Sequence, residues 1–375
     1  MLDFSRQFSV IREEVMAAIE EACVSQRFIL GPQVTRFEQA AALACDAPHA
    51  IGCASGTDAL WLAMEAARIG PGDVVVTTPF SFFATVSSIL RCGATPVLAD
   101  IDPATFNLSA ESVASHLGSA AGDKVKAIMP VHLYGQCADW DAFTTLQQEH
   151  GLLLIEDAAQ AFGATWNGIP AGALGDAAAF SFYPTKNLSA FGDAGMLTTG
   201  SEELAERATM LRAHGMRRRY YHDEVGWNSR LDTIQAAVLE VKLRYIAQWN
   251  EQRRNRAAHY DQLFRAAGLV GSSIAEGIVL PITDPRAHHV FHQYVIRAPR
   301  RDALRQYLSE RQIGTEIYYP LPLHLQASVA GLGYKRGDFP HTEQASAEVL
   351  ALPMYPELRE DEQATVVETV AAFYA

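Results

Sequence analysis

Five short apolar runs closed by turn residues recur through the first half of the chain: Val74-Val75-Val76-Thr77, Thr95-Pro96-Val97-Leu98, Ala127-Ile128-Met129-Pro130-Val131, Leu152-Leu153-Leu154-Ile155 and Ala178-Ala179-Phe180-Ser181-Phe182. Such runs read as buried strands. Helix-length segments at 57–68, 83–91 and 139–150 lie between them. Strand, helix and strand in that order require right-handed crossovers, so the expected fold class is α/β with a mostly parallel sheet. With 375 residues, 49% of them hydrophobic, the chain can bury one large core and a smaller one. The amphipathic stretch 231–256 reads as one or two long helices leading away from the strand-rich part. We therefore expect a large domain over 1–248 and a small α+β domain over 249–375. In the latter, Tyr294–Arg297 reads as a strand, Thr315-Glu-Ile-Tyr-Tyr-Pro320 suits the same α+β pattern, and 301–311, 343–350 and 360–374 read as helices.

The net charge of -13, with a pI near 5.4, argues against nonspecific attraction to nucleic acid or an anionic membrane. An anionic small molecule would need local positive charge. The one basic run, Arg217-Arg218-Arg219, followed by Tyr220-Tyr221-His222, reads either as a solvated loop or as such a local contact. The opening Met1-Leu-Asp-Phe-Ser-Arg6 lacks a basic segment leading into an apolar one, and no apolar run approaches a membrane span. The expectation is a cytoplasmic protein with neither membrane nor nucleic-acid partner. Five cysteines without any Cys-x-x-Cys indicate no disulfide framework and no zinc ribbon. His288-His289-x-x-His292 has no carboxylate or cysteine to complete a ligand set, and Val290-Phe291 suggest packing, so no metal is expected.

Lys186, in Ser181-Phe-Tyr-Pro-Thr-Lys186-Asn187, and Asp157, in Glu156-Asp-Ala-Ala-Gln160, form the pair that carries chemistry. A lysine amine can hold an aldehyde cofactor through an imine link, and a carboxylate beside the ring nitrogen keeps that nitrogen protonated, which suggests pyridoxal phosphate. Each residue also has an ordinary reading: Lys186 as a solvated amine, Asp157 as a helix cap at the end of a buried strand. Ser55-Gly56-Thr57 precedes a helix and offers N–H groups and hydroxyls to a phosphate, or merely an N-cap. Gln160 is near enough to touch a cofactor oxygen. Phe82 could stack on a ring or pack in the core.

Ser55-Gly-Thr-Asp-Ala-Leu60, Glu156-Asp-Ala-Ala-Gln160, Phe180-Ser-Phe-Tyr-Pro-Thr-Lys186-Asn-Leu188, Gly192-Asp-Ala-Gly195, Gly226-Trp-Asn-Ser-Arg230-Leu-Asp and Tyr318-Tyr-Pro-Leu-Pro-Leu-His324 follow one another along the chain. Together they resemble the DegT/StrS-type sugar nucleotide aminotransferases, and the likeness spans nearly the whole chain. That resemblance implies the fold type I of pyridoxal phosphate enzymes, with a seven-stranded sheet, and a homodimer with shared active sites. It implies that Lys186 carries the cofactor, Asp157 pairs its ring nitrogen and Gln160 meets its ring oxygen. Phe82 would stack, and Gly56, Thr57, Ser181 and Asn228 from the other copy would hold phosphate. Ser189 and Ala194 depart from a pattern in which relatives often have glycine. Lys186 argues against the dehydratase branch, which has histidine there. The implied reaction moves the amino group of L-glutamate to a nucleotide-linked keto sugar. Arg219, Tyr220, Tyr221, Arg230, Tyr318, Tyr319 and His324 resemble the contacts of members that aminate a 3-keto position. A 4-keto sugar or keto-inositol, and a non-catalytic regulatory protein that binds pyridoxal phosphate, are the alternatives.

Overall fold

Seven strands form one sheet in the computed structural model, which describes residues 3–118 and 124–375. Met1 and Leu2 of the opening segment lie outside the described residues. The sheet holds β1 (His49–Cys53), β2 (Val74–Thr77), β3 (Thr95–Leu98), β4 (Val125–Met129) and β5 (Leu153–Asp157). A short hairpin, β6 (Thr165–Trp166) and β7 (Ile169–Pro170), stands outside it before β8 (Ala177–Ser181) and β9 (Gly195–Thr199) complete it. The spatial order is β1-β9-β8-β5-β4-β2-β3. Strand β9 runs antiparallel to both neighbours, and the other pairs are parallel. This is the α/β class with the mostly parallel seven-stranded sheet that the sequence implied.

Alternation along the strands sends side chains to two cores. Val76, Ile128, Leu154, Ala178 and Phe180 join one cluster. Val75, Ala127, Met129, Ile155, Ala177 and Ala179 join the other. Helices cover both faces: α1 (Phe4–Ser25), α2 (Pro32–Ala44), α3 (Gly56–Ala66), α4 (Ala84–Arg91), α5 (Ala110–Leu117), α6 (Trp140–His150) and α7 (Glu202–Leu211). Helix α3 starts where it does because Ser55 stays extended and its Oγ accepts the Asp58 N–H at 3.1 Å. After α7 the hairpin β10 (Met216–Arg218) and β11 (Tyr221–His222) projects, followed by α8 (Thr233–Leu243) and α9 (Ile246–Ala266). The remainder contains β12 (Ala287–His288), β13 (Tyr294–Arg297), α10 (Arg301–Glu310), α11 (Pro340–Glu348), β14 (Val349–Leu352) and α12 (Glu360–Tyr374). No helix among the described residues is long and apolar enough to cross a membrane.

The stretch 231–256 is two helices, one of the two forms expected, interrupted between Leu243 and Ile246. Two local expectations change. Helix α4 begins at Ala84, so Phe82 stands in the loop before it. The helix expected over 343–350 ends at Glu348, because Val349, Leu350, Ala351 and Leu352 are buried in antiparallel pairing with β13. Helix α9 passes between two cores: Ile246 and Trp249 pack with the sheet, while Ala257, Tyr260 and Phe264 join the cluster built by β13, β14, α10 and α12.

Phe264 is fully buried and lies beside Tyr260, with ring centroids 6.3 Å apart. Phe264→Ala should lower stability by about 3–5 kcal/mol through lost burial and the cavity left behind. Urea denaturation followed by circular dichroism measures this, and a midpoint equal to that of the parent chain would contradict the placement.

Candidate active site

In an open α/β sheet, loops at the carboxyl ends of parallel strands form the natural crevice. A cavity of about 520 Å³ opens there, lined by residues following β1, β2, β5 and β8. It gathers Gly56, Thr57, Phe82, Asp157, Gln160, Ser181, Lys186, Tyr318 and Tyr319.

Asp157 ends β5 and is buried. Its Oδ2 accepts the Thr85 hydroxyl of α4 at 2.7 Å, and its Oδ1 accepts the Ala159 N–H at 3.3 Å. No helix starts at this residue, so the helix-cap reading does not hold. Burial raises its pKa, opposed by the Thr85 and Ala159 hydrogen bonds and by the charge of Lys186. Lys186 follows β8 and is partly exposed on the cavity side. Burial brings its pKa down to about 8, while Asp157 acts in the opposite direction. The solvated-amine reading therefore fails: this is an amine that can be unprotonated near neutral pH.

The opposite wall presents the start of α3. Gly56 and Thr57 occupy its first turn, where N–H groups have no acceptor within the helix and the helix end is positive. A Cβ on Gly56 would lie 2.6 Å from the Ser181 Cβ, so glycine lets the helix end approach Ser181. Phe82 is 61% exposed over the cavity and is thus no core residue. The Gln160 carboxamide is oriented by its neighbours: its Oε1 accepts the Tyr134 N–H at 2.7 Å, and its Nε2 donates to the Tyr319 hydroxyl at 3.0 Å. A cluster of free helix N–H groups, a buried carboxylate and an amide on the cavity wall with a second N–H to give fit the phosphate, ring nitrogen and ring oxygen of pyridoxal phosphate respectively.

The remaining sequence candidates do not line this cavity. Arg219, Tyr220 and Tyr221 lie on the exposed hairpin β10–β11, and Asn228 is exposed a few residues later. Arg230 lies elsewhere on the same segment, half-buried. His324 is buried, its Nε2 3.1 Å from Glu343 Oε1 and its ring edge-on to Phe339.

Sequence reasoning missed several neighbours. Thr85 lies within the helix-length segment 83–91, but only packing brings it to Asp157. Tyr134, which orders Gln160, carries no local signal. His292 lines the cavity, and its Nδ1 lies 3.1 Å from Asn187 Oδ1. The Asn187 Nδ2 donates to Asn250 Oδ1 and to the Val290 carbonyl, so Asn187 Oδ1 accepts and His292 Nδ1 carries the hydrogen. Burial and the charge of Lys186 push the His292 pKa well below the usual imidazole value. His289 instead stacks on Phe291, with centroids 3.8 Å apart, so the three histidines do not converge. Gln293 also lines the cavity.

A model of the DegT/DnrJ/EryC1/StrS aminotransferase family matches residues 9–371. The chain belongs to that family. It is 50% identical over 374 residues to a protein of Geobacillus stearothermophilus named pleiotropic regulatory protein, covering 100% of this chain and 98% of that one. It is 41% identical to the dTDP-3-amino-3,4,6-trideoxy-alpha-D-glucose transaminase of Streptomyces venezuelae, covering 98% of this chain and 94% of the relative. Among solved structures, S. venezuelae DesV in complex with a ketimine intermediate superposes with a TM-score of 0.93 at 40% identity, covering 99% and 97% of the two chains. This chain is a pyridoxal phosphate-dependent aminotransferase with the corresponding fold.

Removing the Asp157 charge should lower the Lys186 pKa further, since that charge now raises it. In cofactor-free protein, reductive methylation of Lys186 followed by peptide mass spectrometry should show a midpoint near pH 8, which is the value burial sets. Asp157→Asn should move that midpoint to lower pH. An unchanged midpoint would mean the two groups do not interact.

Proposed function

We propose that this aminotransferase moves the amino group of L-glutamate to a keto carbon of a nucleotide-linked deoxy sugar, with a 3-keto sugar as the preferred substrate. The observation that carries the reading is the convergence of Lys186, Asp157 and the α3 N-terminus on one cavity. Support for the substrate class comes from the S. venezuelae transaminase, whose name specifies a 3-amino sugar linked to dTDP. Bound pyridoxal phosphate supplies an electron sink for the pair left when a C–H bond is broken.

The residues of the chain divide the remaining work. Gly56, Thr57 and Ser181 hold phosphate at the positive end of α3. Asp157 keeps the ring nitrogen protonated, its carboxylate fixed by Thr85. Phe82 covers one ring face, and Gln160 donates from Nε2 to the ring oxygen. Lys186 Nζ would take the proton from the donor carbon and deliver it to the cofactor carbon that bore the aldehyde, which an amine with a pKa of about 8 can do in both directions. Tyr318 and Tyr319 line the same cavity and would be available to substrate.

The active unit in this reading is a homodimer. Tyr220 is 75% exposed and Val225 83% exposed, beside exposed Tyr221 and Trp227, an apolar display that suits a partner surface. The other copy would bring Asn228 to the phosphate and Arg219, Tyr220, Tyr221 and Arg230 to the nucleotide side. The name of the G. stearothermophilus relative favours a second, regulatory reading. The complete set of acid–base groups supports catalysis.

Purified protein should aminate a 3-keto sugar nucleotide in the presence of L-glutamate, detected by product mass against a panel that includes 4-keto sugar nucleotides and keto-inositols. Preference for a 4-keto substrate would overturn the positional assignment, and inactivity toward the whole panel would overturn the substrate class. Lys186→Ala should abolish turnover.

Shared sites have a distinct signature. Lys186→Ala and Asn228→Ala chains, each impaired alone, should regain about half the parental activity in a mixed dimer, because one of two sites is then intact. Measurement on dimers purified through two different tags decides this, and no recovery would place Asn228 in its own chain's site.

A further inference from the structure

Ser81 and Thr85 flank Phe82 and Phe83 in the segment that leads into α4, and both are buried. Thr85 Oγ1 donates to Asp157 Oδ2 at 2.7 Å, and Ser81 Oγ lies 2.9 Å from Thr85 Oγ1. A hydroxyl has one hydrogen to give, and an ionised carboxylate only accepts. With the Thr85 hydrogen spent on Asp157, Ser81 is the donor in the other bond. The chain of hydrogen bonds therefore has one direction, from Ser81 through Thr85 to Asp157. Its two ends, Ser81 and Asp157, line the same cavity as Phe82 and Lys186.

Hydroxyls within a helix commonly turn back onto a carbonyl of the preceding turn. Ser87 and Ser88 of α4 do so, donating to the Ala84 carbonyl at 3.4 Å and the Thr85 carbonyl at 3.2 Å. Thr85, in the first turn of the same helix, instead gives its hydrogen to a side chain 72 positions away. Burial favours the neutral form of Asp157, and the Thr85 bond favours the ionised one. A second hydroxyl behind the first polarises it and strengthens its donation.

A ring nitrogen set against this carboxyl can share one proton with it in two ways. Either a protonated nitrogen faces a carboxylate, or a neutral nitrogen faces a carboxylic acid. A site short of water favours the uncharged pair. Donors to the carboxylate stabilise the charged pair alone, and the protonated ring is the stronger electron sink. We propose that Ser81 and Thr85 are positioning residues that keep the shared proton on the ring nitrogen of bound pyridoxal phosphate, through a directed pair of hydrogen bonds ending on Asp157. This inference rests on the assignment of Asp157 to that nitrogen. It adds to that assignment the groups that decide where the proton resides. A hydrogen bond to a charged group shifts such a balance by about 10- to 100-fold.

The test reads the ring nitrogen itself, by 15N NMR of holoenzyme loaded with pyridoxal phosphate labelled at that atom, whose resonance differs between the protonated and unprotonated forms. The parent resonance should stand near the protonated position. Thr85→Val, which keeps the shape and removes the hydroxyl, should move it toward the unprotonated position. Ser81→Ala should move it the same way by less, and Thr85→Ser should restore the parental resonance. The ring serves both half-reactions, so Thr85→Val should lower kcat in both by a common factor of about 10 to 100, with KM for each substrate little changed.

A parental resonance in Thr85→Val would overturn the proposal even if turnover fell, because the loss would then come from packing. A shift with Thr85→Val and none with Ser81→Ala would overturn the part given to Ser81. Asp157→Ala separates this inference from the reading beneath it. If that change also leaves the resonance in place, the pairing of Asp157 with the ring nitrogen fails and the inference falls with it. If it moves the resonance while Thr85→Val does not, only the hydroxyl chain fails. Should the valine chain not fold, Ser81→Ala carries the test, and an unmoved resonance is then the overturning result.

Discussion

The site depends on two opposite charges placed where water is scarce. Asp157 and Lys186 face one cavity, and each is disfavoured as an ion by burial while each supports the charge of the other. Neither residue is locked into a tight ion pair. Asp157 has Thr85 and Ala159 as hydrogen-bond donors, which hold the carboxylate in place without neutralising it. In the proposed reading, a protonated ring nitrogen would satisfy the remaining deficit at Asp157. Lys186, with its pKa brought to about 8, gains the ability to exchange a proton at neutral pH. The same burial thus prepares one group to bind and the other to react.

Strand geometry decides which of two adjacent carboxylates serves this purpose. Successive residues of β5 point to opposite faces, so Glu156 and Asp157 meet different surroundings. Glu156 accepts N–H groups from Gly172 at 2.8 Å, Leu174 at 3.0 Å and Gly175 at 2.9 Å, with His132 Nε2 3.0 Å away. It pins the segment before β8, and its lone pairs are taken. Asp157 has two donors and an open cavity. Composition at the two positions is nearly the same, yet the chemistry is separated by a single step along the chain.

The parallel strands were legible because burial on both faces forces continuous apolar runs, and β2, β3, β4, β5 and β8 all have them. Strand β1, His49-Ala-Ile-Gly-Cys53, and strand β9, Gly195-Met-Leu-Thr-Thr199, contain glycine and polar residues that interrupt that signal. Their pairing with one another is established by tertiary contact. Val349 and Leu350 were misread as the end of a helix because a four-residue apolar run joined to a helix carries no period of its own. In the site, residues inside contiguous motifs were visible, while Tyr134, His292 and Gln293 were not. Their parts depend on a long-range approach: 26 residues separate Tyr134 from Gln160, and 105 separate His292 from Asn187. Only the repeated histidines at 288, 289 and 292 gave a signal there, and it pointed toward metal or packing.

Charge poses the last constraint. A chain of net charge -13 repels an anionic nucleotide at long range, so attraction must be generated within a Debye length of the site. The projecting hairpin concentrates Arg217, Arg218 and Arg219, and aromatic rings hold two of those guanidinium groups: Arg218 lies 4.7 Å from the Tyr221 centroid and Arg219 4.9 Å from that of Tyr220. Stacking spares the planar groups much of the rotamer freedom that a free arginine would lose on binding. Arg217 is differently placed, 3.6 Å from Asp223, and its charge is partly answered within the hairpin. In the proposed dimer, Arg218 and Arg219 therefore retain more capacity than Arg217 to meet a pyrophosphate, and the hairpin supplies locally the positive potential that the chain as a whole lacks.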